Sequence, residues 1–262
     1  MAAKEFGEAQ REMKSVLASA ERKCLGWLAA RLPSWIGSDH LTLLALAAML
    51  ASGLSYYASR FHRVALAGAV LGLAVNWFGD SLDGTLARVR GHQRPRYGFY
   101  VDHVVDCFGV FFLLSGLALS GFMSPLIAAG LLVAYFMLSI EVYLATYCLA
   151  VFRMSFWGIG PTELRILLAI GTAALWLDPR PEILGVRYRL FDVGGAVAIV
   201  SLAVTLLVSA ARNTRLLYLA EPLPGRSRES RLLQRQPDAG PAFQGGPPAA
   251  DADSTLQIVR GA

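Results

Sequence analysis

Four aspartates fall in two short stretches, DSLDGTLAR at residues 80–88 and GFYVDHVVD at residues 98–106, each bordering an apolar run. Asp80 and Asp83 are three residues apart. On a continuous helix, at about 100° per residue, they stand about 60° apart and face one side. Asp102 and Asp106 repeat the arrangement at a spacing of four. The connection between the stretches is short and cationic, so an antiparallel helical hairpin would bring both pairs to one end of a bundle. A charged residue near the centre of a membrane helix costs about 2.5–3.5 kcal/mol even on the lenient insertion scale, and four carboxylates also repel one another. Something positive must compensate. Arg88 could pair with one of them, but four hard oxygen donors on two rigid helices are a better match to Mg2+ or Mn2+. Two such ions, about 3.5–4 Å apart, clamp a phosphate for in-line displacement at phosphorus. Gly84, Ala87 and Gly98 keep the surface low where a ligand would approach the backbone, although small residues also serve helix packing.

The chain that must position these groups is apolar: 262 residues, 55% hydrophobic and 16% charged, with a mean hydropathy of +0.48. That is too apolar for an ordinary soluble domain of this size. The runs are long enough for spanning helices and lack the short alternating segments of a barrel. The expected fold is an all-α integral membrane protein. Six spans are expected, at about 41–59, 64–87, 100–122, 125–152, 161–177 and 191–211, the fifth having the shortest apolar part. A helix over about 4–32 precedes them, with Val16, Leu17, Ala20, Cys24 and Leu28 as its apolar stripe, lying on the membrane surface. Pro33 and Gly37 break it, and Ser38 or Asp39 caps the next helix.

This divides the chain into an interfacial helix at 1–37, a six-helix membrane domain at 38–215 and a flexible tail at 216–262, rich in Pro, Gly, Ser and charge. Lys14, Arg22, Lys23, Arg31, Arg88, Arg90, Arg94, Arg96, Arg153, Arg212 and Arg215 fall on one side of a six-span topology. Fewer cations fall on the other, which places the site and both termini in the cytoplasm and the chain in the inner membrane. The net charge of +5 follows from that placement and not from a nucleic-acid fold. Cys24, Cys107 and Cys148 are too far apart for a zinc spacing or a disulfide framework. No cleavable signal peptide is expected, because charges interrupt the first 30 residues.

Written out, the pattern is Asp80-x2-Asp83-Gly84-x2-Ala87-Arg88-x9-Gly98-x3-Asp102-x3-Asp106. It resembles the signature of the CDP-alcohol phosphotransferase family at every fixed position. The resemblance implies a two-metal site in which Asp80, Asp83 and Asp102 are ligands and Asp106 is a ligand or the general base. It also implies a pocket for the cytidine diphosphate part of the donor, made by Gly84, Ala87, Arg88 and Gly98. The implied reaction is attack of an acceptor hydroxyl, of a lipid or a polar alcohol, on the phosphorus that carries the donor's alcohol, with CMP leaving. A homodimer is the implied assembly.

His103 is a second candidate base, since an imidazole with a pKa near 6.5 suits removal of a hydroxyl proton. A histidine beside a metal ligand also serves as a supporting donor. The Asp102-His103 pair, Glu141-x-Tyr143 and Gly160-Pro161-x-Glu163 are similar to the aminoalcohol branch of the family, whose members are longer. The donor is therefore either CDP-diacylglycerol or a CDP-aminoalcohol. Glu163 and Arg165 would line the donor or acceptor pocket, or form an interfacial ion pair. A cation transporter or channel would also use intramembrane aspartates, but its acidic groups would be spread across the bilayer.

Overall fold

The computed structural model describes residues 10–12, 18–149, 151–153, 160–177, 182–183 and 186–221. Seven helices carry almost all of them: α1 (Ala18–Ala29), α2 (Ser38–Ala58), α3 (Ala65–Val89), α4 (Pro95–Ser120), α5 (Pro125–Leu149), α6 (Pro161–Leu177) and α7 (Leu190–Ala220). Two small ladders complete the described residues. In one, β1 (Gln10–Glu12) runs parallel to β2 (Val151–Arg153). In the other, β3 (Glu182–Ile183) runs antiparallel to β4 (Val186–Arg187). Residues 10–12, expected within the first helix, are thus extended: Gln-Arg-Glu offers no apolar residue to a helical stripe, and the ladder satisfies its backbone.

Helices α2, α3, α4, α5 and α7 are long and apolar enough to cross a membrane, and the chain is an integral membrane protein. Helix α6 has 17 residues, about 26 Å at 1.5 Å per residue. It runs antiparallel to α3 for most of that helix's length: Arg165 meets Asp80 at one end, and the Trp176 indole donates to the Arg63 carbonyl at the other. Helix α4 begins five residues before the expected span, because Pro95 is preorganised for a first turn where its missing N–H costs nothing. It ends at Gly121, whose φ of 82° is left-handed. Helix α7 outruns its expected end at 211 and reaches Ala220. No Gly or Pro interrupts the sequence there until Pro222.

Glycines bring α2, α3 and α4 together. A side chain at Gly116 of α4 would run into the Gly53 backbone of α2, and one at Gly79 of α3 would come within 2.6 Å of the Leu41 carbonyl. The core between these helices holds Tyr56, Leu66, Leu73, Leu113 and Leu117. A second cluster, Leu25, Ala29, Leu41, Leu82 and Leu86, seats α1 against α2 and α3 beneath the aspartates.

The buried stripe of α1 is rotated from the expected one: Leu25 and Ala29 are buried, while Cys24 is exposed. Glu21 sets that rotation. Its Oε1 accepts from Trp77 Nε1 at 2.8 Å, Thr162 Oγ1 at 2.9 Å and Ser81 Oγ at 3.2 Å, tying α1 to both α3 and α6. Val16, Leu17 and the tail beyond residue 221 lie outside the described residues. The main compact unit runs to Leu217, and of the second, from Tyr218, only residues 218–221 are described.

Candidate active site

Helix α3 delivers Asp80 and Asp83 to the end of the bundle, and each is held by a different neighbour. Asp80 Oδ2 accepts from Arg165 Nη2 of α6 at 2.5 Å. The Arg165 Nε donates to Asn76 Oδ1 at 2.8 Å, and Asn76 Nδ2 is anchored on the Ala45 carbonyl of α2 at 3.1 Å. Residues 76, 80 and 83 share one face of α3, so this chain of bonds fixes the register of three helices at once. The compensating charge at Asp80 is therefore Arg165. Arg88 donates to the Thr85 hydroxyl at 3.0 Å.

Asp83 is buried and is gripped from α2. Thr42 Oγ1 donates to Asp83 Oδ2 at 2.6 Å, and Ser38 Oγ donates to the Asp83 carbonyl at 2.8 Å. Ser38 is the first residue of α2 rather than its cap. Gly37 occupies the cap position, and its N–H donates to His40 Nδ1 at 3.0 Å.

Helix α4 supplies the other pair. Asp106 lies within electrostatic reach of Asp80, Arg165, Asp102 and Asp83, and Asp102 within reach of Asp83. All four expected aspartates are thus brought together, with Arg165 as a fifth charge. The His103 ring packs on Phe99 at 4.1 Å between centroids and meets the edge of Tyr143 of α5 at 4.8 Å. Its Nδ1 is bonded to the Phe99 carbonyl. A carbonyl only accepts, so Nδ1 carries the proton and, in the neutral ring, Nε2 holds the lone pair.

Among the described residues, packing does not require the two motif glycines. A side chain at Gly84 would meet only the Arg88 guanidinium, at 3.5 Å, and one at Gly98 would find nothing within 4 Å. Glu163 is placed at the start of α6, where its Oε2 accepts the Gly160 N–H at 2.9 Å. This satisfies one of the helix's orphan donors. A groove of about 450 Å3 opens between α1, α3 and α6, lined by Leu73, Trp77 and Ile166, with Glu21 and Arg165 at its polar end.

The donor set fits a hard divalent cation by chemistry, being all carboxylate. Among the described residues, however, no three acidic, histidine or cysteine side chains are arranged to hold an ion as they stand. Arg165 takes up an oxygen of Asp80 that such an ion would use, while Thr42 holds one oxygen of Asp83. The expectations from sequence missed Thr42, Asn76 and Glu21. A polar residue inside an apolar run marks Thr42 and Asn76, whereas Glu21, followed by Arg22 and Lys23, carries no such signal.

Comparison with curated proteins returned no significant match. The family model described as CDP-alcohol phosphatidyltransferase matches residues 35–209. That is more than half of the chain and contains all four aspartates, so the protein belongs to this family of transferases, which move a phosphate group from a CDP-alcohol in phospholipid synthesis.

Proposed function

We propose that the chain transfers a substituted phosphate from a CDP-alcohol to an acceptor hydroxyl at the end of the α3–α4 hairpin, using Mg2+ or Mn2+. The observation that carries this is that Asp106 lies within electrostatic reach of Asp80, Asp83 and Asp102, with Arg165 offsetting part of their charge. These four carboxylates would hold two ions. When bound, the ions neutralise the carboxylates and withdraw charge from the phosphoryl oxygens.

The remaining chemistry falls to the protein's own groups. Gly84, Ala87, Arg88 and Gly98 form the seat for the cytidine diphosphate. Glycines that packing does not require support it, because a backbone without side chains leaves room for a ligand. Arg165 binds substrate phosphate, and Glu163 braces the first turn of the helix that carries it. The acceptor oxygen bonds to the phosphorus bearing the alcohol as the bond from that phosphorus to the bridging oxygen breaks. CMP leaves with the electron pair. The acceptor's proton passes to Asp106 or to His103, whose Nε2 holds a lone pair in the tautomer fixed by Phe99. Holding the reactants in line in a site shielded from water supplies most of the acceleration.

The almost wholly apolar groove between α1, α3 and α6 suits an acyl chain, which favours a lipid as one substrate. The family match does not separate CDP-diacylglycerol from CDP-aminoalcohol donors. The span of α6 along α3 supports a sixth crossing. With it, the site and both termini lie on the cytoplasmic side of the inner membrane, and a second copy of the chain is the expected partner.

The test is incubation of the purified protein in lipid with Mg2+ or Mn2+ and a panel of CDP-alcohols and acceptors. CMP release that requires a matched donor and acceptor supports the reading; no CMP from any pair overturns it.

A further inference from the structure

Asp80 and Asp83 sit on one helix face but are held by unlike groups. On Asp80 a guanidinium both orients and neutralises the carboxylate. On Asp83 a neutral hydroxyl from another helix does the holding. We propose that Thr42 is a positioning residue for the phosphotransfer site: its hydroxyl sets the rotamer of Asp83 so that the carboxylate faces a divalent cation. The proposal rests on the reading that Asp83 is a metal ligand.

Three observations carry it. First, both partners are buried, Thr42 7% exposed and Asp83 5%, so the bond is not traded with bulk water. Second, Thr42 Oγ1 has another acceptor within its own helix, the Ser38 carbonyl at 3.2 Å. The Asp83 oxygen is nearer, at 2.6 Å. A hydroxyl has one proton to give, and the shorter, charge-assisted bond takes it. Third, the end of α2 that presents Thr42 is itself fixed. Arg90 donates to the carbonyls of Leu32, Pro33, Ser34 and Ile36 in the linker leading into it. Ser38 meanwhile grips the Asp83 main chain, so backbone and side chain of Asp83 are referenced to one turn of α2.

A neutral donor suits this role. It satisfies one of roughly four lone-pair directions on the carboxylate, the neighbouring Gly84 N–H bonds the other oxygen, and the remaining directions are left for a cation. An arginine in the same place would compete with that cation. Supporting partners of this kind typically alter metal affinity by about 10–100-fold when removed.

The test compares Thr42→Val, which keeps the shape and loses the hydroxyl, with Thr42→Ser, which keeps the hydroxyl. Two readouts are taken on the full-length protein in lipid: the Mn2+ concentration for half-maximal CMP release, and that for half-maximal thermal stabilisation without substrate. For Thr42→Val both midpoints rise by about tenfold or more, with a smaller change in turnover at saturating Mn2+. For Thr42→Ser both stay within about twofold of the parent. Unchanged midpoints in Thr42→Val overturn the proposal, and so does an equal shift in the two variants, which would mark a packing role. If Thr42→Val does not fold, Thr42→Ala takes its place under the same criteria. Asp83→Asn separates the two levels. If it leaves the Mn2+ midpoints unchanged, the ligand reading falls and this proposal with it. If it abolishes the response while Thr42→Val is silent, only the positioning role falls.

Discussion

The bundle is built in two ways across its section. Helices α2, α3 and α4 meet almost backbone to backbone through glycines, and 44% of the apolar stretch of α2 is buried within the protein. Helices α5 and α7 bury only 11% of theirs, and their exposed Leu126, Leu144, Val197 and Leu207 suit contact with lipid tails. The contrast shows where precision is needed. All four aspartates ride on α3 and α4, where close packing fixes the backbone, and none rides on the outer pair. The outer pair has its own polar contact: Glu141 accepts from Asn213 at 2.7 Å and Ser209 at 2.9 Å. It joins α5 to α7 without reaching the carboxylate cluster.

The comparison breaks first at the glycines. Gly116→Leu, forced into the Gly53 backbone, exceeds the 1–3 kcal/mol typical of overpacking and is expected to abolish the folded protein, as read by size-exclusion chromatography in detergent. Gly98→Ala, with open space around it, keeps the parent's melting temperature while lowering CMP release. If the two behave alike, the distinction between packing and site glycines is wrong.

Next in size is Arg165→Gln, which leaves Asp80 and Asp106 without their guanidinium. Turnover is expected to fall by about 100–1,000-fold, the range for losing one electrostatic donor. The metal-free protein melts lower than the parent, and Mn2+ raises its melting temperature by more than it raises the parent's, because a cation replaces the missing charge. A smaller Mn2+ effect than in the parent would mean that Arg165 does not share the carboxylates with metal.

Smallest is Glu141→Gln on the outer pair. The amide still accepts a bond, so thermal stability is expected to drop by roughly 0.6 kcal/mol, the average for a polar contact between membrane helices. CMP release should stay within about twofold. A tenfold loss would bring α5 and α7 into the site and erase the contrast.

The same division explains what the sequence could disclose. The aspartate pairs were legible because a spacing of three or four residues is a local fact that a helix converts directly into a shared face. Five of the spans were legible from length and hydropathy. Partnerships were not: Thr42 is 41 residues from Asp83, and Arg165 is 85 from Asp80. A polar residue in an apolar run announces that it has a partner without naming it. Arg165 as the partner of Asp80 had no local signal, because tertiary packing brings it there. Helix ends were misplaced as well. The cap of α2 lies at Gly37, with Ser38 inside the helix and its hydroxyl donating across to the Asp83 carbonyl of α3, and the rotation of α1 follows Glu21's bonds to two other helices.

The central claim is that the carboxylates of the α3–α4 hairpin perform a cation-dependent phosphotransfer. It is tested most directly by CMP release against Mn2+ concentration for the parent, Asp102→Asn and Asp192→Asn. Asp192 is the matched control, since it accepts the Ser124 N–H at the start of α5, away from the four site carboxylates. The account predicts Mn2+-dependent release by the parent and by Asp192→Asn, and a loss of at least about a hundredfold in Asp102→Asn with folding intact. Undiminished release by Asp102→Asn, or release by the parent after exhaustive chelation of divalent cations, would contradict it.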